Sequence, residues 1–126
     1  MGKLVHNDVL DAALNVFETA ATVITVCKDT PTNYSEAITQ GAFMLAIKTG
    51  LTGGDFLIAD AGGGGRQTTV SAQAAIAVLE SGTATHICLT DGASKLLFVT
   101  TCTSQVLTAG NTVTIPAWTI TIGDPS

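Results

Sequence analysis

Apolar residues recur at Val9, Leu10, Ala13, Leu14 and Phe17, the spacing of one narrow stripe along a helix. Asn7 reads as the N-cap, and Asp8 and Asp11 fall in the first turn, where the helix dipole favours acids. The pattern predicts a helix over residues 7–20, ended before Thr22, where β-branched residues begin. Such a stripe docks on something apolar, either the chain's own sheet or a neighbour.

From Thr22 onward the pattern is that of strands and turns. Residues 23–28 are rich in Val, Ile and Thr, and stop at the turn formers Asp29-Thr30-Pro31-Thr32-Asn33. A short helix or loop over 35–40 leads into a strand over 42–48. Gly50 to Gly54 breaks the chain before another strand at 55–59, and strands at 67–72 and 74–79 follow. Asp91-Gly92 is a hairpin signal between residues 83–90 and 95–102. The simplest register of that hairpin sets Cys88 against Leu97, His86 against Val99 and Cys102 against Thr83. Ala109-Gly110-Asn111 turns into 112–115, and Pro116 makes the 112–122 segment bend or lie at an edge. Short strands separated by regular turn signals predict a mainly β fold, an antiparallel β-sandwich or barrel with one N-terminal α-helix. The whole chain, 1–126, reads as a single β-rich domain: an arm over 1–6, the helix, then strands and loops over 22–126.

Composition narrows the function classes. The 126 residues carry five Lys+Arg against ten Asp+Glu, a net charge of -5. Only 12% of residues are charged while 46% are apolar, against about 25% charged in ordinary globular domains. That balance excludes a disordered chain, and the scarce cations exclude a nucleic-acid binder. It leaves more apolar surface than one small core hides, so partner chains are expected to cover the rest. The first residues lack the apolar run of a secretory signal, and His6 stands where N-myristoylation wants Ser or Thr. No apolar run approaches the roughly 20 residues that span a bilayer. A soluble product made in the cytoplasm, with no membrane partner, is the expectation.

Candidate chemistry is thin. Cys27, Cys88 and Cys102 are odd in number and widely spaced, a poor disulfide framework. A zinc site would need His86 to converge with all three, which the expected hairpin register opposes, so three buried thiols are expected instead. Gly62 to Gly65 precede Arg66, but no Lys and hydroxyl residue open a helix behind them, as a phosphate loop requires. The run reads as a flexible surface loop or one ordered by a partner. His86 and Cys88 share a strand face, yet no loop or helix N-terminus is there to activate the thiol. Asp55, Asp60, Asp91 and Asp124 read as solvated charges. These readings leave no catalytic, cofactor-binding or metal-binding residue, and predict a protein that is not an enzyme and has no small-molecule substrate. Trp118 reads as a core or interface anchor. The candidate interface residues are Leu4, Val5 and His6 in the arm, Gly63, Gly64 and Arg66 at the glycine run, and Trp118.

Three stretches carry a resemblance. They are His6-Asn7-Asp8-Val9-Leu10-Asp11-Ala12-Ala13-Leu14, then Ser81-Gly82-Thr83-Ala84-Thr85-His86-Ile87-Cys88-Leu89-Thr90-Asp91-Gly92, and a C-terminal set. That set runs from Thr100-Thr101-Cys102-Thr103-Ser104-Gln105 through Leu107-Thr108-Ala109-Gly110-Asn111-Thr112 to Pro116-Ala117-Trp118 and Asp124-Pro125. Together they resemble small structural proteins of tailed bacteriophages and prophages, over roughly half of the chain. Residues 40–75 depart from the pattern, being more apolar and glycine-rich. The resemblance implies a virion protein at the capsid surface, a cement or decoration protein bound to the major capsid protein, with a tail or head-fibre adhesin as the alternative. Self-association about a three-fold or similar axis, as in a trimer, would hide part of the excess apolar area and is expected beside it.

Overall fold

The computed structural model describes residues 5–123. Helix α1 spans Asn7–Ala20 and turns Leu10, Leu14 and Phe17 inward. Its cap differs from the sequence reading. His6, not Asn7, caps the helix, with Nδ1 accepting the Asp8 N–H at 3.1 Å. An imidazole in extended backbone does here what an Asn side chain would do one residue later. Val9 and Ala13 do not dock: they face outward with Ala12, and Val16 is 45% exposed. The helix therefore carries a second apolar row that its own sheet does not cover.

The strands among the described residues form three antiparallel sheets. The first joins β1 (Val23–Cys27), β2 (Met44–Lys48), β6 (Gly82–Thr90) and β7 (Leu96–Leu107) in the order β2-β1-β6-β7. The second orders β3 (Phe56–Asp60), β4 (Arg66–Val70) and β9 (Trp118–Ile122), and the third pairs β5 (Gln73–Ala77) with β8 (Thr112–Ile115). The fold is mainly β and sandwich-like, with the N-terminal helix the sequence predicts. Ile24, Val26 and Leu89 of the first sheet meet Phe56, Val70 and Ile120 of the second, Ile76 and Ile115 of the third, and Leu14 and Phe17 of α1. Strand β1 is buried along its whole length. One face lies in that core; on the other, Cys27 packs with Met44, Cys88 and Ala37 of the short helix α2 (Tyr34–Ile38). A strand covered on both sides is mostly apolar, which is why residues 23–27 read as a near-continuous run rather than an alternation; its one hydroxyl, Thr25, is fully buried 3.7 Å from the Cys27 sulfur. Pro116 separates β8 from β9, which belong to different sheets.

Four aromatic rings tie these layers together. Phe17 stacks on Phe56 with centroids 6.4 Å apart and meets Phe98 edge-on at 5.9 Å; Phe98 in turn stacks on Trp118 at 5.9 Å. Helix α1, β3, β7 and β9 thus share one line of contact, in geometries that ring quadrupoles favour.

The β6–β7 pairing departs from the expected register by two residues at Cys88 and His86 and by four at Thr83. Cys88 faces Val99, not Leu97; His86 faces Thr101; and Thr83 faces Val106, not Cys102. Two irregularities cause the slip. Leu97 is an extra residue between the Thr90–Leu96 and Leu89–Phe98 pairs, and Thr85 alone lies opposite Cys102, Thr103 and Ser104. Asp91 closes the connection, its Oδ1 accepting N–H bonds from Ala93, Ser94 and Lys95 at 2.8–2.9 Å. Those three donors hold the Asp91 carboxyl at about 2, well below its ordinary value. A depressed carboxylate pKa contributes stability above the unfolded value and loses it as pH falls through the folded one. Asp91→Ala should therefore lower Tm at pH 7, and the gap to the wild-type protein should close between about pH 4 and pH 2 in thermal melts followed by circular dichroism.

A charge-free face at the β7 edge

From Leu96 to Gly123 the chain contains no Asp, Glu, Lys or Arg. The fold gathers that stretch, β7 to β9, on one side of the molecule, where it walls an open cleft of about 670 Å³. Val26, Ala84 and Ile87 line the cleft from the first sheet; β7 supplies residues from Thr100 to Leu107, and the β8–Pro116–β9 segment supplies Val113 to Thr119. No lining residue is charged, and most are threonines or aliphatic side chains. Trp118 sits half-buried in this wall, as an anchor at a core boundary would, and its indole Nε1 is buried with no hydrogen-bond partner among the described residues.

Strand β7 is the open edge of the first sheet. The opposite edge, β2, is covered: Leu79 and Glu80 donate their N–H groups to the Leu45 carbonyl, and Ala46 bridges Val78. In the second half of β7, Thr101, Thr103, Ser104, Gln105 and Val106 are exposed, and Val106 reaches 75%. Consecutive strand residues point to opposite faces, so here both faces of the strand meet solvent along with its edge. Sequence reasoning did not single out these residues. The signal was the uninterrupted run without charge, hidden in a chain-wide average.

The other candidates fall elsewhere. Leu4 lies outside the described residues; Val5 is half-buried and His6 is engaged as the α1 cap. The glycine run is an ordered turn between β3 and β4, closed by Ala61 N–H to the Gly65 carbonyl at 3.1 Å and Gly64 N–H to the Ala61 carbonyl at 3.3 Å. Gly63 has open space around it. Arg66 does not project from that turn toward a partner. Its Nε and Nη2 donate to Asp11 at 2.7 and 3.2 Å, a bidentate pair, and Nη1 donates to Asp60 at 2.6 Å. Neither carboxylate is a free surface charge: Asp11, which with His6 as the cap lies beyond the first turn that Asp8 occupies, clamps α1 to β4, and the two carboxylates together push the guanidinium pKa up.

The cysteine and histidine cluster is likewise dispersed. Cys27 and Cys88 meet with sulfurs 3.9 Å apart, both fully buried, whereas Cys102 is partly exposed on β7, contrary to the expectation of three buried thiols. Its displacement follows from the irregularity opposite Thr85. Contact with Cys27 and burial push the Cys88 thiol above its usual range. His86 spends its two ring nitrogens on the hydroxyls of Thr30 at 2.9 Å and Thr85 at 2.8 Å, not on Cys88. No three metal-ligating side chains converge among the described residues, and no helix there is long and apolar enough to cross a membrane.

Comparison with known proteins gives no match to a family model, to a curated protein or to a solved structure. The likeness to phage structural proteins rests on the three quoted stretches alone.

Proposed function

We propose that this protein is a non-enzymatic virion protein of a tailed phage, a cement or decoration protein that binds the major capsid protein and stabilises the head shell. The observation that carries the reading is the charge-free face: the open edge of β7, the exposed Val106 and an uncharged cleft lie together on one side. Soluble proteins that work alone protect long edges with charge or proline and keep apolar patches small. A face without those protections suits protein surface better than water. The net charge of -5 keeps the protein off nucleic acid, as the outer side of a shell requires. Many copies on a symmetric lattice reach high avidity through modest individual contacts. The protein is then made in the host cytoplasm and ends on the capsid surface.

The test is direct. Purified protein mixed with expanded capsids that lack it should bind saturably, at a fixed ratio to the major capsid protein, and raise the temperature at which the shells fall apart. Absence of stoichiometric binding sinks the cement role. Trp118 in the cleft wall favours a second reading, a tail or head-fibre adhesin using the cleft for an uncharged ligand. Copy number separates the two: hundreds per particle for cement, few for a fibre.

A further inference from the structure

We propose that the exposed half of β7, residues 101–106, pairs antiparallel with the same segment of a second copy of this chain about a two-fold axis, making one continuous sheet from two four-stranded ones. Within the first sheet this segment is bonded on one side only, where Gln105, Val106 and Leu107 pair with Ala84, Thr83 and Gly82. Its outer edge and both of its faces meet solvent. An edge strand bonded on one side only leaves a row of backbone N–H and C=O groups unpaired, and a partner strand supplies the missing bonds.

Charge decides who that partner is. Copies of a chain with a net charge of -5 repel one another wherever acidic surfaces meet. On β7 there is no charge to oppose, and none in the β8–β9 wall beside it. The other outer edges differ. Strand β3 is five residues long, ends at Asp60 and follows Asp55, while β9 is five residues long with Pro116 just ahead of it. Strand β7 is twelve residues long with neither charge nor proline, and its one protection is the irregularity opposite Thr85. An antiparallel edge is complementary to itself under two-fold rotation, so identical chains close into a dimer, and the joined sheet keeps no open edge because β2 is covered at each end. Three-fold symmetry has no such fit to this edge. The inference adds a partner to the assembly role proposed above, and its test needs no capsid, so the two can fail separately.

Sedimentation equilibrium across micromolar concentrations should find a dimer. Thr103→Lys, which sets like charges close to the axis, and Val106→Lys, which places a lysine in the charge-free seam as protected edge strands do, should each weaken dimerisation at least about tenfold. Leu57→Lys, at a site 68% exposed on β3, should leave it intact. Far-UV circular dichroism checks that the variants are folded. Because Thr103 falls next to the axis, Thr103→Cys in a Cys102→Ser background should give a disulfide-linked dimer on mild oxidation, and Leu57→Cys in the same background should not. This arm needs no destabilising charge. A monomer throughout, a trimer, or a dimer indifferent to both lysine variants overturns the proposal.

Discussion

Phe17→Ala should destabilise the fold by about 4 kcal/mol, with a fall in Tm on the order of 15 °C. The ring is the hinge of the aromatic line: it stacks on Phe56, meets Phe98 edge-on, and through Phe98 reaches Trp118. Truncation removes the transfer free energy of a buried ring and leaves a cavity between α1 and two sheets, which side chains anchored in three different elements cannot collapse to fill. Val16, its neighbour in sequence, is 45% exposed and gives the contrast. Val16→Ala should stay within about 0.5 kcal/mol of the parent. Urea titrations of the three proteins give the numbers. A Phe17→Ala loss no larger than that of Val16→Ala would show that the helix does not hold the layers together.

Gly92→Ala should cost about 2 kcal/mol. Gly92 has φ +77, where a side chain strains the backbone, and an added Cβ would stand 2.8 Å from Thr22 Oγ1 and 3.3 Å from Val23 Cγ2. That hydroxyl is not free to move aside, because it donates to the Asp91 carbonyl at 3.0 Å and so ties the start of β1 to the β6–β7 connection. The methyl group must break this bond or push the two strands apart. Gly63→Ala makes the control, since nothing lies within 4 Å of the added atom. Equal melting temperatures for the two variants would refute the account of the connection.

The helix, the β8–Pro116–β9 break and the β6–β7 hairpin were legible because each is encoded within a few residues. The hairpin's register was not. Alternation gives the face of a side chain, whereas Leu97 and the 102–104 irregularity add residues whose presence depends on how β7 leaves its partner. For the same reason Cys102 reads as buried by pattern and is partly exposed in fact. Two apolar rows run along α1, and nothing within residues 7–20 says which one meets the sheets. Arg66 looked free because its partner Asp11 lies 55 positions away. The charge-free face was in plain sight as a run of residue types, but becomes a face only when β7, β8 and β9 are brought to one side.

The pairings also set a pace. Strand β1 pairs with β6, β4 with β9 and β5 with β8, so each sheet waits on a loop closed over tens of residues. Topologies of this kind fold in milliseconds to seconds, not microseconds. Throughout that wait β8 and β9 are unpaired and the outer edge of β7 is open, all within residues 96–123, which are rich in β-formers and without a single charged gatekeeper. Recovery from denaturant is then a race between intramolecular closure, which ignores concentration, and intermolecular pairing, which rises with it. The surface that suits assembly in the finished molecule is the hazard of the unfinished one.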